Sequence, residues 1–113
     1  TDGVAERVVP GMCRLGLEAA FVERARREML GRGLGHTAVE DRIASAKKLT
    51  QTAALALFGD AEEGGRVLPH LNAMGREFAD VFRDCDRGAH KGYHGSLEEL
   101  VNTARSLAGR VRR

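Results

Sequence analysis

Apolar residues recur every three or four positions in four successive blocks of this chain, and nowhere do they alternate with polar residues over the length of a strand. An α-helix turns about every 3.6 residues, so this spacing lines one helical face, whereas strict alternation lines a strand. The cleanest block is Leu71, Met74, Phe78, Val81 and Cys85, reinforced by Phe82. An earlier one runs through Val8, Met12, Leu15, Ala19, Val22 and Met29, broken only by Arg26. Val9, Cys13, Leu17 and Phe21 give that same segment a second apolar side, which predicts a central helix packed by more than one neighbour.

The punctuation between blocks agrees with helices. Residues 1–7 are polar and predict an arm or a frayed start. Gly31, Gly33 and Gly35 end the first helix, because glycine readily takes the left-handed conformation past a helix C-terminus. Thr37-Ala-Val-Glu40 reads as a capping box opening a second helix through Val39, Ile43, Ala46, Thr50, Ala53 and Leu57, closed by Gly59. Asp60 to Gly65 is a turn with room for a short helical stretch, and Pro69 suits the first position of a third helix. Gly88, Gly92 and Gly95 predict a loop-prone stretch after it. Ser96-Leu-Glu-Glu99 is a second capping box, for a last helix carrying Leu97, Leu100, Val101, Ala104, Leu107, Ala108 and Val111. With no Asn-Gly or Asp-Gly hairpin signal, the expectation is an all-α, antiparallel (up-and-down) bundle of four main helices, residues 1–113 forming one domain.

Composition narrows the class further. A chain of 113 residues holds one core, and 42% hydrophobic with 30% charged residues is ordinary for a folded domain. No apolar run approaches the roughly 18 residues of a membrane span. The net charge of +2 does not demand a nucleic-acid partner. Most of the cations are arginine, clustered at Arg24, Arg26, Arg27 and Arg32 and again at Arg105, Arg110, Arg112 and Arg113; these clusters read first as solvated faces. Cys13 and Cys85 have no second cysteine near them in sequence, which excludes a CxxC pair or a zinc ribbon and predicts reduced thiols in a cytoplasmic protein. The chain opens on Thr1 rather than Met, the expectation for a piece of a longer protein.

Most constellations carry no chemistry. Gly31-Arg-Gly-Leu-Gly35 follows a helix rather than a strand and lacks nucleotide-binding spacing. His90 and His94 stand four apart with Gly92 between them and no third ligand, so neither metal nor cofactor is expected. The stretch Arg83-Asp-Cys-Asp-Arg-Gly-Ala-His90 differs. At about 100° per residue, Arg83, Arg87 and His90 project from one shared side of the helix, away from the Phe78 stripe. An imidazole moves protons near neutral pH, and a guanidinium holds a phosphate and the charge that builds on it. Together they suffice for attack of a ribose 2′-hydroxyl on its neighbouring phosphodiester. The same cations can also simply solvate a helix C-terminus.

An Arg, a polar residue and a His after six intervening residues, inside a helical bundle of this length, resembles the HEPN superfamily. The resemblance implies a metal-independent endoribonuclease whose cleft is made by two copies of the motif in a homodimer. It implies that Arg83 binds and polarises the phosphate, His90 transfers the proton and Asp84 orients one of them; Arg87, Lys91 and His94 beside them are the residues expected to contact RNA. A second register, Arg87 to His94, keeps the same gap, though Gly88 rather than a polar residue follows its Arg. Members of the family are often joined to ATPases or paired with antitoxins in bacterial defence, and some are non-catalytic. The alternative expectation is therefore a helical dimerisation or regulatory module of a larger ATPase.

Overall fold

The first apolar block folds as one helix, α1 (Ala5–Gly31), in the computed structural model, which describes residues 3–113. Most of the expected polar arm is thus either helical from Ala5 or, for Thr1 and Asp2, outside the described residues. The glycine run ends α1 as anticipated. Gly33 takes φ +91°, its N–H donates to the Leu30 carbonyl (3.0 Å), and the Leu34 N–H reaches back to the Met29 carbonyl (3.1 Å), a Schellman closure.

Five helices follow: α2 (His36–Ser45), α3 (Leu49–Phe58), α4 (Val67–Met74), α5 (Arg76–Lys91) and α6 (Leu97–Arg112), with a 3-10 segment, Ala61–Arg66, between α3 and α4. The described residues contain no strand. Two of the four expected helices are each divided. The second breaks at Ala46–Lys48, because an unbroken helix would turn Leu49 about 80° from the Val39 stripe, and the break lets both be fully buried. The third breaks at Gly75, whose backbone is extended, yet Leu71, Phe78, Val81 and Cys85 all still reach the core. α4 starts at Val67, placing Pro69 in its first turn rather than at its first position.

The Ser96 cap forms, with the hydroxyl accepting the Glu99 N–H at 3.2 Å. The Thr37 box does not. α2 begins after Gly35, and the Glu40 carboxylate instead accepts two hydrogen bonds from the Arg26 guanidinium (2.8 and 2.9 Å), tying α2 to α1. A charge-assisted bidentate pair outweighs a return bond to one backbone amide.

α1 is the central helix, but along its N-terminal half only one of its two apolar sides is covered. Leu17, Phe21, Ala25 and Met29 are buried among α3, α5 and α6, with Phe21 edge-on to Phe82 at 5.9 Å between ring centres. Val8, Met12 and Leu15 face outward. α5 runs antiparallel to α1, with Phe82 beside Phe21 and Gly88 beside Pro10. α6 runs parallel to α1, from Val101 near Val9 to Arg112 on Glu23 (2.7 Å). Gly88 does not loosen α5, which continues to Lys91 and ends at Gly92 (φ +85°).

Candidate functional site

The turn between α2 and α3 presents Lys47 and Lys48 side by side. Its shape is held by Gln51, whose side-chain oxygen accepts the backbone N–H of both lysines (2.9 and 3.0 Å). Across from it lies the last turn and a half of α5, with Arg87, His90 and Lys91, and behind them Arg14 of α1. These side chains, with Thr50 and Asp86, wall an open cleft of about 340 Å³. The three lysines of the chain, Lys47, Lys48 and Lys91, all line it.

Its electrostatics are one-sided. Five cationic side chains face a single carboxylate, Asp86, which is already engaged by Arg14 Nε at 3.2 Å. Arg14 also approaches Glu18 at 3.5 Å, so its guanidinium is held in place from two sides. Among the described residues, Lys47, Lys48, Arg87 and Lys91 form no ion pair within 4 Å. Clustered like charges repel one another unless an anion joins them, so an open cleft of this kind favours a polyanion. His90 is exposed on the same wall and places an imidazole among the cations.

The candidate residues read from the sequence therefore divide. Arg87, His90 and Lys91 come together in the cleft, while Arg83, Asp84 and His94 are not in its walls. Arg83 lies about two turns from His90 along α5, and its Nη2 donates to Asp80 at 2.6 Å. Asp84 faces a crease between α5 and α6 that also holds Glu77, Asp80, Tyr93 and Glu99, and it accepts no hydrogen bond from Arg83 or His90. Burial raises the Tyr93 phenol's pKa, and the nearby Asp84 and Glu99 carboxylates add to the shift. His94 lies in the loop beyond α5, beside Gly92.

Three residues of the cleft escaped the sequence reading: Arg14, Lys47 and Lys48. The adjacent lysines are the one local signal, since they interrupt an apolar series in a chain otherwise poor in lysine. The arginine clusters are largely exposed, as expected of solvated faces, and four of their members have partners of their own. Arg26 holds Glu40, Arg112 holds Glu23, Arg27 donates to the Arg112 carbonyl, and Arg110 lies over the Phe78 ring at 5.4 Å. Among the described residues no group of three or more acidic, histidine or cysteine side chains could hold a metal ion, and no helix is long and apolar enough to cross a membrane. No protein-family model matches the chain, and neither curated proteins nor solved structures yield a match.

Proposed function

We propose that the cleft between α5 and the α2–α3 turn binds the phosphate backbone of RNA, and that His90 supports metal-independent cleavage of the strand, the chemistry of the HEPN superfamily. The observation that carries this reading is the convergence of all three lysines, two arginines and one imidazole from three separate segments on one open cleft. Phosphate contacts of this kind position a nucleic acid without reading its sequence. In the proposed reaction His90 takes the proton of a ribose 2′-hydroxyl as that oxygen attacks phosphorus. The 5′ oxygen leaves and is protonated by solvent, giving a 2′,3′-cyclic phosphate and a 5′-hydroxyl. Arg87, one helical turn from His90, holds the phosphate and the charge that builds on it. We assign it the part that the motif gives to Arg83, because Arg83 is held by Asp80. We take α1, α5 and α6, which alternate in direction, as the frame of an up-and-down bundle, and the setting as the cytoplasm.

The test is incubation with a mixed RNA pool in EDTA. Wild type should cleave, His90→Ala should lose on the order of a hundredfold or more in rate, and Arg87→Ala should fall further than Arg83→Ala. If His90→Ala cleaves like wild type, the assignment of His90 fails. If wild type binds RNA without cleaving it, the cleft is a binding surface only. The second reading, a non-catalytic interaction module of a larger ATPase, is favoured by one observation, the uncovered apolar side of α1.

A further inference from the structure

Between them the parallel helices α1 and α6 leave a groove of about 460 Å³, a volume typical of small-molecule sites. Its floor is built from small residues. Gly16 has no side chain, Ala104 and Ala108 offer one methyl group each, and nothing stands within 4 Å of where a Cβ on Gly16 would be. Long unbranched side chains rise around that floor, Met12 (66% exposed) from α1 and Arg105 and Arg112 from α6. A thioether adapts its shape to a guest, and an arginine lays its methylenes along apolar surface while its guanidinium keeps to the polar end. Val9 and Val101 form the other end of the groove, and Ala5 and Val8 continue the apolar surface past Val9.

The charges around the groove give it a direction. Glu98, Arg105 and Arg112 follow one another seven residues apart on α6, each step within about 20° of two full turns. One carboxylate at the Val101 end is therefore followed by two guanidiniums. Among the described residues Arg105 forms no ion pair within 4 Å, and its charge reaches the Cys13 thiol in the groove wall. Arg112 is engaged by Glu23 through Nε (2.7 Å), and Arg27 beside it donates to the Arg112 carbonyl. Glu23 and the negative end of the α6 dipole offset part of the charge at Arg112, whereas no such group faces Arg105. An anion is thus drawn to the stretch between Arg105 and Arg112 and kept from the other end by Glu98.

We propose that this groove binds an unbranched alkyl carboxylate, a free fatty acid. Its carboxylate lies over Gly16 and Ala108 between Arg105 and Arg112, and its chain runs back past Met12 and Ala104 to Val9 and Val101. The planar fork of a guanidinium matches a carboxylate, and the apolar floor takes the chain. A cationic head would instead meet Arg105, and a head without charge would leave that guanidinium unpaired. The groove shares no residue with the cationic cleft, so this inference does not rest on the RNA reading.

Dodecanoate, kept below its micelle concentration, should bind one-to-one in isothermal titration calorimetry and shift the amide resonances of Gly16 and Ala104. Arg105→Gln should weaken binding about tenfold, the worth of a charge-assisted hydrogen bond, and Arg105→Lys should recover part of the loss. Gly16→Leu, which points into open space, should leave the helical circular dichroism unchanged and abolish binding. Arg76→Gln, at the exposed start of α5, should change nothing. Dodecanol or dodecyltrimethylammonium binding as tightly as dodecanoate overturns the proposal, because apolar contact alone would then suffice. Uptake that Gly16→Leu leaves untouched overturns it too, as does binding to phosphatidylglycerol vesicles without binding of monomeric dodecanoate. A ligand-free dimer that Gly16→Leu dissociates in sedimentation would give the groove to a second copy and overturn it equally.

Discussion

The backbone N–H of Tyr93 donates to the carbonyl oxygen of Glu6 at 2.7 Å. That carbonyl would have accepted a bond from position 10 of α1, but Pro10 has no N–H to give. The loop after α5 thus satisfies the group that the proline leaves open. The proline also lies against α5, close to buried Gly88. One residue therefore sets both the approach of α5 to α1 and the position of the loop that follows His90.

A methyl group at position 88 would stand 2.8 Å from Pro10 Cβ and 3.1 Å from its Cγ. Gly88→Ala should therefore destabilise the domain, since overpacking costs about 1–3 kcal/mol and alanine's better helix propensity returns only about 1 kcal/mol. Gly109→Ala in α6, where nothing lies within 4 Å, should instead stabilise by about 0.5–1 kcal/mol. Thermal melts of the two variants should move in opposite directions. A rise in melting temperature for Gly88→Ala would refute this account of the crossing.

Cys13 and Cys85 meet between α1 and α5, and both are free thiols. Burial pushes the Cys85 thiol up to about 12, with the neighbouring Cys13, Asp84 and Asp86 adding to the shift. Its raised value means that the folded state keeps a proton that the unfolded state releases from pH 9 upward. The stability it contributes is complete below pH 9 and is lost as the pH rises toward 12. The slope is at most about 1.4 kcal/mol per pH unit. Denaturation midpoints measured across that window should fall, and should fall less steeply in Cys85→Ser. A thiol reagent should label Cys13 in the native protein and reach Cys85 only on unfolding.

Contacts to phosphate release counterions, so affinity for RNA in the cleft should fall steeply with salt. Each contact removed should lower the slope of log K against log salt by about 0.7 for a single strand. Lys47→Gln, Lys48→Gln and Lys91→Gln should each weaken binding and flatten that slope across unrelated sequences. Arg76→Gln, whose side chain lies outside the cleft at the other end of α5, should do neither. Equal effects of all four would mean that RNA is held by overall charge rather than by this site.

The Arg26 guanidinium holds the Glu40 carboxyl below its usual range, chiefly through their hydrogen bonds. Whatever this pair adds to the docking of α2 is present above the ordinary carboxylate range and disappears as the pH falls through the lowered value. Amide exchange in α2 should therefore quicken in acid before the rest of the domain opens. Arg26→Ala should bring the Glu40 titration back toward 4.5, and an unchanged Glu40 titration would remove the pair as a cause.

Local features of the chain were sufficient for everything whose physics is local. Period 3.6 made it helical, Gly33 and Gly59 ended helices in left-handed turns, and Ser96 capped the last one. The face of α5 that carries Arg87, His90 and Lys91 follows from spacing as well. Tertiary structure decided what spacing cannot carry. An apolar stripe on each side of α1 looks equally suited to a core, and only the packing of α3, α5 and α6 buried Leu17 and Phe21 while leaving Met12 and Leu15 outside. Thr37 had the chemistry of a cap, but Glu40 found Arg26, which the sequence puts fourteen positions away on another helix. The same reason governs the cleft. Lys47, Lys48 and Arg14 are far from His90 along the chain, and charges converge through the folding of separate helices, for which a linear pattern holds no distance.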